Sequence, residues 1–144
     1  MDFKDCIQFA TENPICYLAT AEGDQPRVRT FMLWYADESG FYFATLSQKE
    51  VMKQLQQNPK VELCFFNHAP DPANWQQMRV TGTIEFLEDE ETQDKAYQTR
   101  SFLDAIVGFS TRPFVRPFRI ATGEAHFWTL ADILKEPEVA RIRF

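Results

Sequence analysis

Cysteine, histidine and glycine are all scarce in this chain, and each scarcity removes a class of chemistry. Cys6, Cys16 and Cys64 are odd in number and never C-x-x-C spaced. Neither a disulfide framework nor a zinc site is suggested, and reduced thiols are the simplest account. His68 and His126 have no ligand-spaced acid or cysteine beside them, which argues against a metal centre. The five glycines never form G-x-G-x-x-G, and no serine sits in a G-x-S-x-G elbow. No run approaches the ~18 apolar residues of a membrane span, and Asp2 and Asp5 open the chain where a leader would be apolar. A cytoplasmic protein with no membrane partner is therefore expected. Positive charge is also short: 15 Lys and Arg against 21 Asp and Glu give a net charge of -6, which excludes the broad basic surface a nucleic-acid binder needs.

What is present is apolar and aromatic. Of the 144 residues, 44% are hydrophobic and 14 are Phe, a composition that builds a real core and gives no support to disorder. The length fits one domain over residues 1–144. It is short for an enzyme with a deep pocket of its own, so a site shared between subunits is expected.

Periodicity divides the chain into a β meander with helices at its margins. Phe3, Cys6, Ile7 and Ala10 mark one helix face, ended by Asn13-Pro14. Residues 15–21, 27–36 and 41–46 read as strands separated by glycine-containing turns. Val51, Met52 and Leu55 share a helix face before Asn58-Pro59 stops it. Strands resume at 60–67 and 76–87 around a proline-bearing loop. Asp89 is a candidate N-cap for a helix to Arg100, with a continuation to Val107 open. Residues 109–117 read as a loop, 118–128 as strand, 130–134 as a short helix, and 139–144 as a possible added strand.

Within this pattern one constellation suggests an anion pocket. Strand parity puts Arg27 and Arg29 on one face, and Ser47 with Glu50 has the S-x-x-E spacing of a capping box. A helix beginning there offers free backbone N–H groups, to which Arg29 and Lys49 add charge-assisted hydrogen bonds. Arg112, Arg116 and Arg119 lie around Phe114 and Phe118; an ordinary solvated loop is the simpler account, a basic and aromatic rim the alternative.

The ordered set of segments resembles the pyridoxamine 5'-phosphate oxidase-like flavoproteins, the FMN-binding split β-barrel superfamily. The segments are Gly23-Asp24-Gln25-Pro26 before the arginine strand, Asp37-Glu38-Ser39-Gly40, Thr45-x-Ser47-x-Lys49, Asn58-Pro59-Lys60-Val61, Gln77-Met78-Arg79-Val80-Thr81-Gly82 and Phe127-Trp128. The resemblance implies a mainly β fold, a β-barrel with peripheral helices, and FMN as cofactor. It assigns the phosphate to Arg29, Ser47 and Lys49, places Thr30 and Thr45 on strands supporting the isoalloxazine, and sends Gln77 to the flavin of the opposite subunit. It further implies a homodimer with interfacial flavins and an FMN-dependent oxidoreductase acting on a small-molecule substrate, with no residue singled out as catalytic. A flavin- or haem-binding carrier or sensor without turnover, and a deazaflavin-dependent reductase, are the alternatives. Trp34 stands where the classical oxidases often have a second phosphate-binding lysine, and no Arg-x-His segment follows Arg141, so pyridoxamine phosphate itself is disfavoured as substrate.

Overall fold

A computed structural model covers residues 1–144. Helix α1 (Phe3–Glu12) starts where Asp2 accepts hydrogen bonds from the Lys4 and Asp5 amides while the Asp5 carboxylate returns to the Asp2 amide, a reciprocal cap. It stops before Pro14, whose ring disfavours helical geometry in the residue ahead of it. Strands β1 (Ile15–Glu22), β2 (Gln25–Met32), β3 (Tyr35–Asp37) and β4 (Gly40–Leu46) follow through tight turns. Gly40 is required at its turn: its φ is +130°, and a Cβ there would stand 2.2 Å from the Ile120 carbonyl oxygen. Helix α2 (Glu50–Gln57), strands β5 (Lys60–Phe66) and β6 (Gln76–Phe86), and helices α3 (Glu90–Gln98) and α4 (Leu103–Val107) precede the long strand β7 (Val115–Thr129) and the short β8 (Ile142–Arg143).

All pairings are antiparallel, in the order β2-β1-β5-β6-β7-β4-β3, with β8 beside β7. The sheet curls into a barrel in which the end strand β2 and strand β4, neighbour of the other end strand β3, meet through side chains rather than a hydrogen-bond ladder. Phe31 of β2 stands edge-on to Phe43 of β4 with centroids 6.2 Å apart. This is the split of a split barrel. One cluster of 20 buried residues fills the interior, with Phe41, Phe43, Phe65 and Phe118 fully enclosed. Each such side chain contributes about 1.5–3 kcal/mol of burial.

Several boundaries differ from the sequence reading. The strand expected over 27–36 breaks after Met32, because the Leu33 amide turns to the Pro14 carbonyl (2.8 Å) and the Trp34 amide to that of Tyr42 (2.8 Å). The helix beginning after Asp89 does not continue to Val107; it ends at Gln98, and α4 restarts after a turn. Arg116 and Pro117 belong to β7 rather than to a loop, opposite Thr45 and Ala44. No helix is long and apolar enough to cross a membrane.

Candidate functional site

Arg29 projects from the inner face of β2. Its guanidinium donates to the Leu18 carbonyl (3.1 Å), to Thr20 Oγ1 (2.7 Å) and to Gln54 Oε1. Gln54 is buried on α2, and it also accepts from the Thr20 hydroxyl (2.6 Å) and donates to Glu22 (3.2 Å). This network fixes Arg29 without neutralising it. Arg27 shares the face but is paired with Glu22 at 3.0 Å.

The Ser47 capping box is not formed. Helix α2 starts two residues later, with Lys49 at its N-cap and no side-chain cap. The Ser47 amide donates to the Phe114 carbonyl (2.8 Å), and its hydroxyl only approaches Gln48 (3.3 Å). The segment before β7 thus takes the turn that sequence spacing had given to a cap. Lys49 extends over the Phe31 ring, 5.0 Å from its centroid. Partial desolvation, then the like charges of Arg29 and Arg100, lower its pKa from the ordinary lysine value.

Lys49 lines a cavity of about 240 Å³ at the split, with Thr30, Met32, Ala44 and Arg100. Arg100 carries no sequence signal that sets it apart. It lies in the turn between α3 and α4 and donates to the Met32 carbonyl (3.1 Å) on the free edge of β2. Arg29, Lys49 and Arg100 have no carboxylate within ion-pairing distance, whereas Arg27, Arg79, Arg112 and Arg119 all do. Three unneutralised cations on three elements are therefore gathered in an acidic protein. Like charges held this close oppose one another in the empty fold, and an anion placed among them would reverse that repulsion.

Thr45 is 5% exposed on β4, and its Oγ1 has no hydrogen-bond partner. A buried orphan hydroxyl costs about 1–3 kcal/mol and in a native fold calls for a ligand or a water. Gln77 is not brought to this group. It sits three strands from Thr30, about 14 Å along the sheet at ordinary strand spacing. There it accepts from the Cys64 thiol (3.5 Å) and lines an apolar hollow of about 390 Å³ with Tyr17, Phe66, Trp75 and Trp128. The outer sheet face between the two places is unusually apolar for a surface: Val28 is 71% and Met32 46% exposed, with Ile15 and Tyr17 beside them.

The arginines after Phe109 serve other contacts. Arg112 pairs with Asp94 (3.1 Å), Arg119 with Glu85, and Arg116 donates to the Pro113 and Val115 carbonyls. Arg112 and Arg116 face a separate cavity of about 480 Å³ beside Met52 and Gln56 of α2. His126 is buried on the outer face of β7 near Arg79 and Arg141, and no group of residues has the composition of a metal site.

Comparison with known proteins agrees with this architecture. The family described as Pyridoxamine 5'-phosphate oxidase matches residues 3–128. The chain is similar to pyridoxine/pyridoxamine 5'-phosphate oxidases from Vesicomyosocius okutanii (31% identical over 96 residues, 67% of this chain) and Pseudomonas paraeruginosa (37% over 84 residues, 58% of this chain). Each match spans only 37% of the length of that relative. Among solved structures, a NimC/NimA family protein from Clostridium acetobutylicum superposes with a TM-score of 0.75 at 27% identity, covering 98% of this chain and 91% of the other.

Proposed function

The chain belongs to the pyridoxamine 5'-phosphate oxidase family, and from that membership we propose that it binds FMN at the split of the barrel and acts as an oxidoreductase on a small organic substrate. The observation that carries this reading is the proximity of Arg29 and Lys49, from separate elements and without carboxylate partners; the buried Thr45 hydroxyl on β4 is in addition left without a hydrogen-bond partner. The residues present suit a phosphorylated flavin. Arg29 and Lys49 would hold the phosphate dianion, with the Ser47 hydroxyl adding a hydrogen bond. Thr30 and Thr45 would line the ring's approach along β2 and β4.

When bound, the flavin supplies two-electron redox chemistry that no side chain here provides. The protein's own work is to bind, orient and exclude water. The Thr20–Gln54–Arg29 network holds the guanidinium in one orientation before any ligand arrives, so little ordering cost remains at binding. The Phe31 ring fixes Lys49 at the mouth of the split.

A cavity of about 240 Å³ is smaller than the usual range for a small-molecule site, ~300–1,000 Å³. A second copy of the chain would complete it. The apolar outer face carrying Val28, Met32, Ile15 and Tyr17 is the surface on which the homodimer is proposed, and Gln77 would then reach the flavin of the partner.

The test is direct. Purified protein titrated with FMN and with riboflavin should prefer FMN, and Lys49→Ala should weaken FMN binding by about 1.5–3 kcal/mol while leaving riboflavin nearly unchanged. Equal losses for both ligands would remove Lys49 from the phosphate site. Sedimentation of a flavin-loaded monomer would rule out the shared site.

A further inference from the structure

We infer that Arg100 is a third ligand of the flavin phosphate, closing the site from the turn between α3 and α4 and making it selective for phosphorylated flavins. The inference rests on the FMN reading above and adds to it a residue outside the segments that carry the family resemblance.

Three observations support it. First, Arg100 lines the same cavity as Lys49 and Thr30, although it lies 51 residues beyond Lys49 in the chain. Second, its guanidinium is half-buried and has only the Met32 carbonyl as a partner, so most of its five N–H donors are left for a ligand. Third, its position is built rather than accidental. Asp104 accepts from the Tyr97 hydroxyl (2.5 Å), the Thr111 amide (2.7 Å) and the Thr111 hydroxyl (2.7 Å), which pins the turn on both sides of Arg100. The Arg100 amide itself donates to the Tyr97 carbonyl (2.9 Å).

A purely structural brace would not need this residue. One exposed carbonyl on an edge strand could be capped by a neutral amide, or by water. Placing a permanent cation next to Lys49 and Arg29 instead raises the energy of the empty site, since like charges oppose one another across partly desolvated space. A phosphate dianion reverses the sign of that term. It accepts from several donors at once, and arginine suits it through its planar fork.

The experiment compares Arg100→Ala and Arg100→Gln with the unmodified protein in fluorescence titrations of FMN and of riboflavin. Arg100→Gln removes the charge but retains an N–H donor on a shorter side chain, and the Asp104 hydrogen bonds that hold the turn are untouched in both variants. Both variants should raise the Kd for FMN at least tenfold and leave that for riboflavin within twofold, the usual size of a lost charge-assisted contact. The steepness with which added salt weakens FMN binding should fall in parallel. FMN affinity unchanged in Arg100→Gln, or equal losses for both ligands, would overturn the inference while leaving the FMN reading intact. A wild-type protein that binds FMN no better than riboflavin would overturn that reading, and this inference with it.

Discussion

Replacing Gln54 by Leu should damage the protein out of proportion to the size of the change. The side chain is 4% exposed, and its carbonyl is the shared acceptor for the Thr20 hydroxyl and the Arg29 guanidinium. Leucine fills the same space but accepts nothing. The Thr20 hydroxyl, itself 6% exposed, would be left with a buried donor unmet, a cost of about 1–3 kcal/mol. Arg29 is half-buried and would keep its bonds to the Leu18 carbonyl and Thr20, so its loss is smaller, about 0.5–1 kcal/mol. The expected destabilisation is about 1.5–4 kcal/mol. For a chain of this length that lowers Tm by about 5–12 °C. Urea and thermal unfolding followed by circular dichroism would measure it. The double variant Thr20→Val/Gln54→Leu removes both ends of the buried bond, so it should be less destabilised than the sum of the single changes by about 1 kcal/mol. Strict additivity, or a loss below about 0.5 kcal/mol for Gln54→Leu, would refute the account of this network as a buried and interdependent unit.

Two further outcomes follow from the same geometry. Thr45→Val removes a buried hydroxyl that has no partner, so the ligand-free protein should gain up to about 1 kcal/mol in thermal unfolding while FMN binding weakens; a loss of stability would mean that the hydroxyl is satisfied in solution. The Asp104 carboxyl is held below the ordinary aspartate value by hydrogen bonds from Tyr97 and Thr111, so its contribution is complete above the unfolded pKa of about 3.9 and is lost as pH falls through the lower folded value. Protection of the Thr111 amide against hydrogen exchange should accordingly drop below about pH 4 in the wild type, and Asp104→Asn should flatten that profile.

The parts of the fold that were legible in the sequence are those whose signals are local. Asp89 caps α3 as its position suggests, accepting from the Thr92 amide at 2.9 Å, and Asp37 with Gly40 makes the β3–β4 turn. Arg29 and Lys49 could be singled out because a strand and a helix start carry them in a recognisable order. Ser47 could not be placed correctly, because the carbonyl that claims its amide belongs to Phe114, 67 residues away. Arg100 was invisible for a related reason. Its neighbours Met32 and Lys49 are distant in the chain, and the run Gln98-Thr99-Arg100-Ser101 looks like the polar surface of a continuing helix. Gln77 shows the opposite limit: its strand was read correctly, yet a single chain leaves it three strands from the cation group.

The open seam leaves the sheet ending in β2 on one side and β3 on the other, and these two edges are guarded by different means. β3 is three residues long, too short to template another strand. β2 has eight residues and would be a hazard for strand-to-strand aggregation, but Pro26 removes one donor near its start and the fork of Arg100 occupies the Met32 carbonyl at its end. The same guanidinium therefore blocks the rim against foreign backbone. Loss of Arg100 should show itself as clouding of concentrated protein before any loss of helix or strand content, a colloidal symptom arising from one missing side chain.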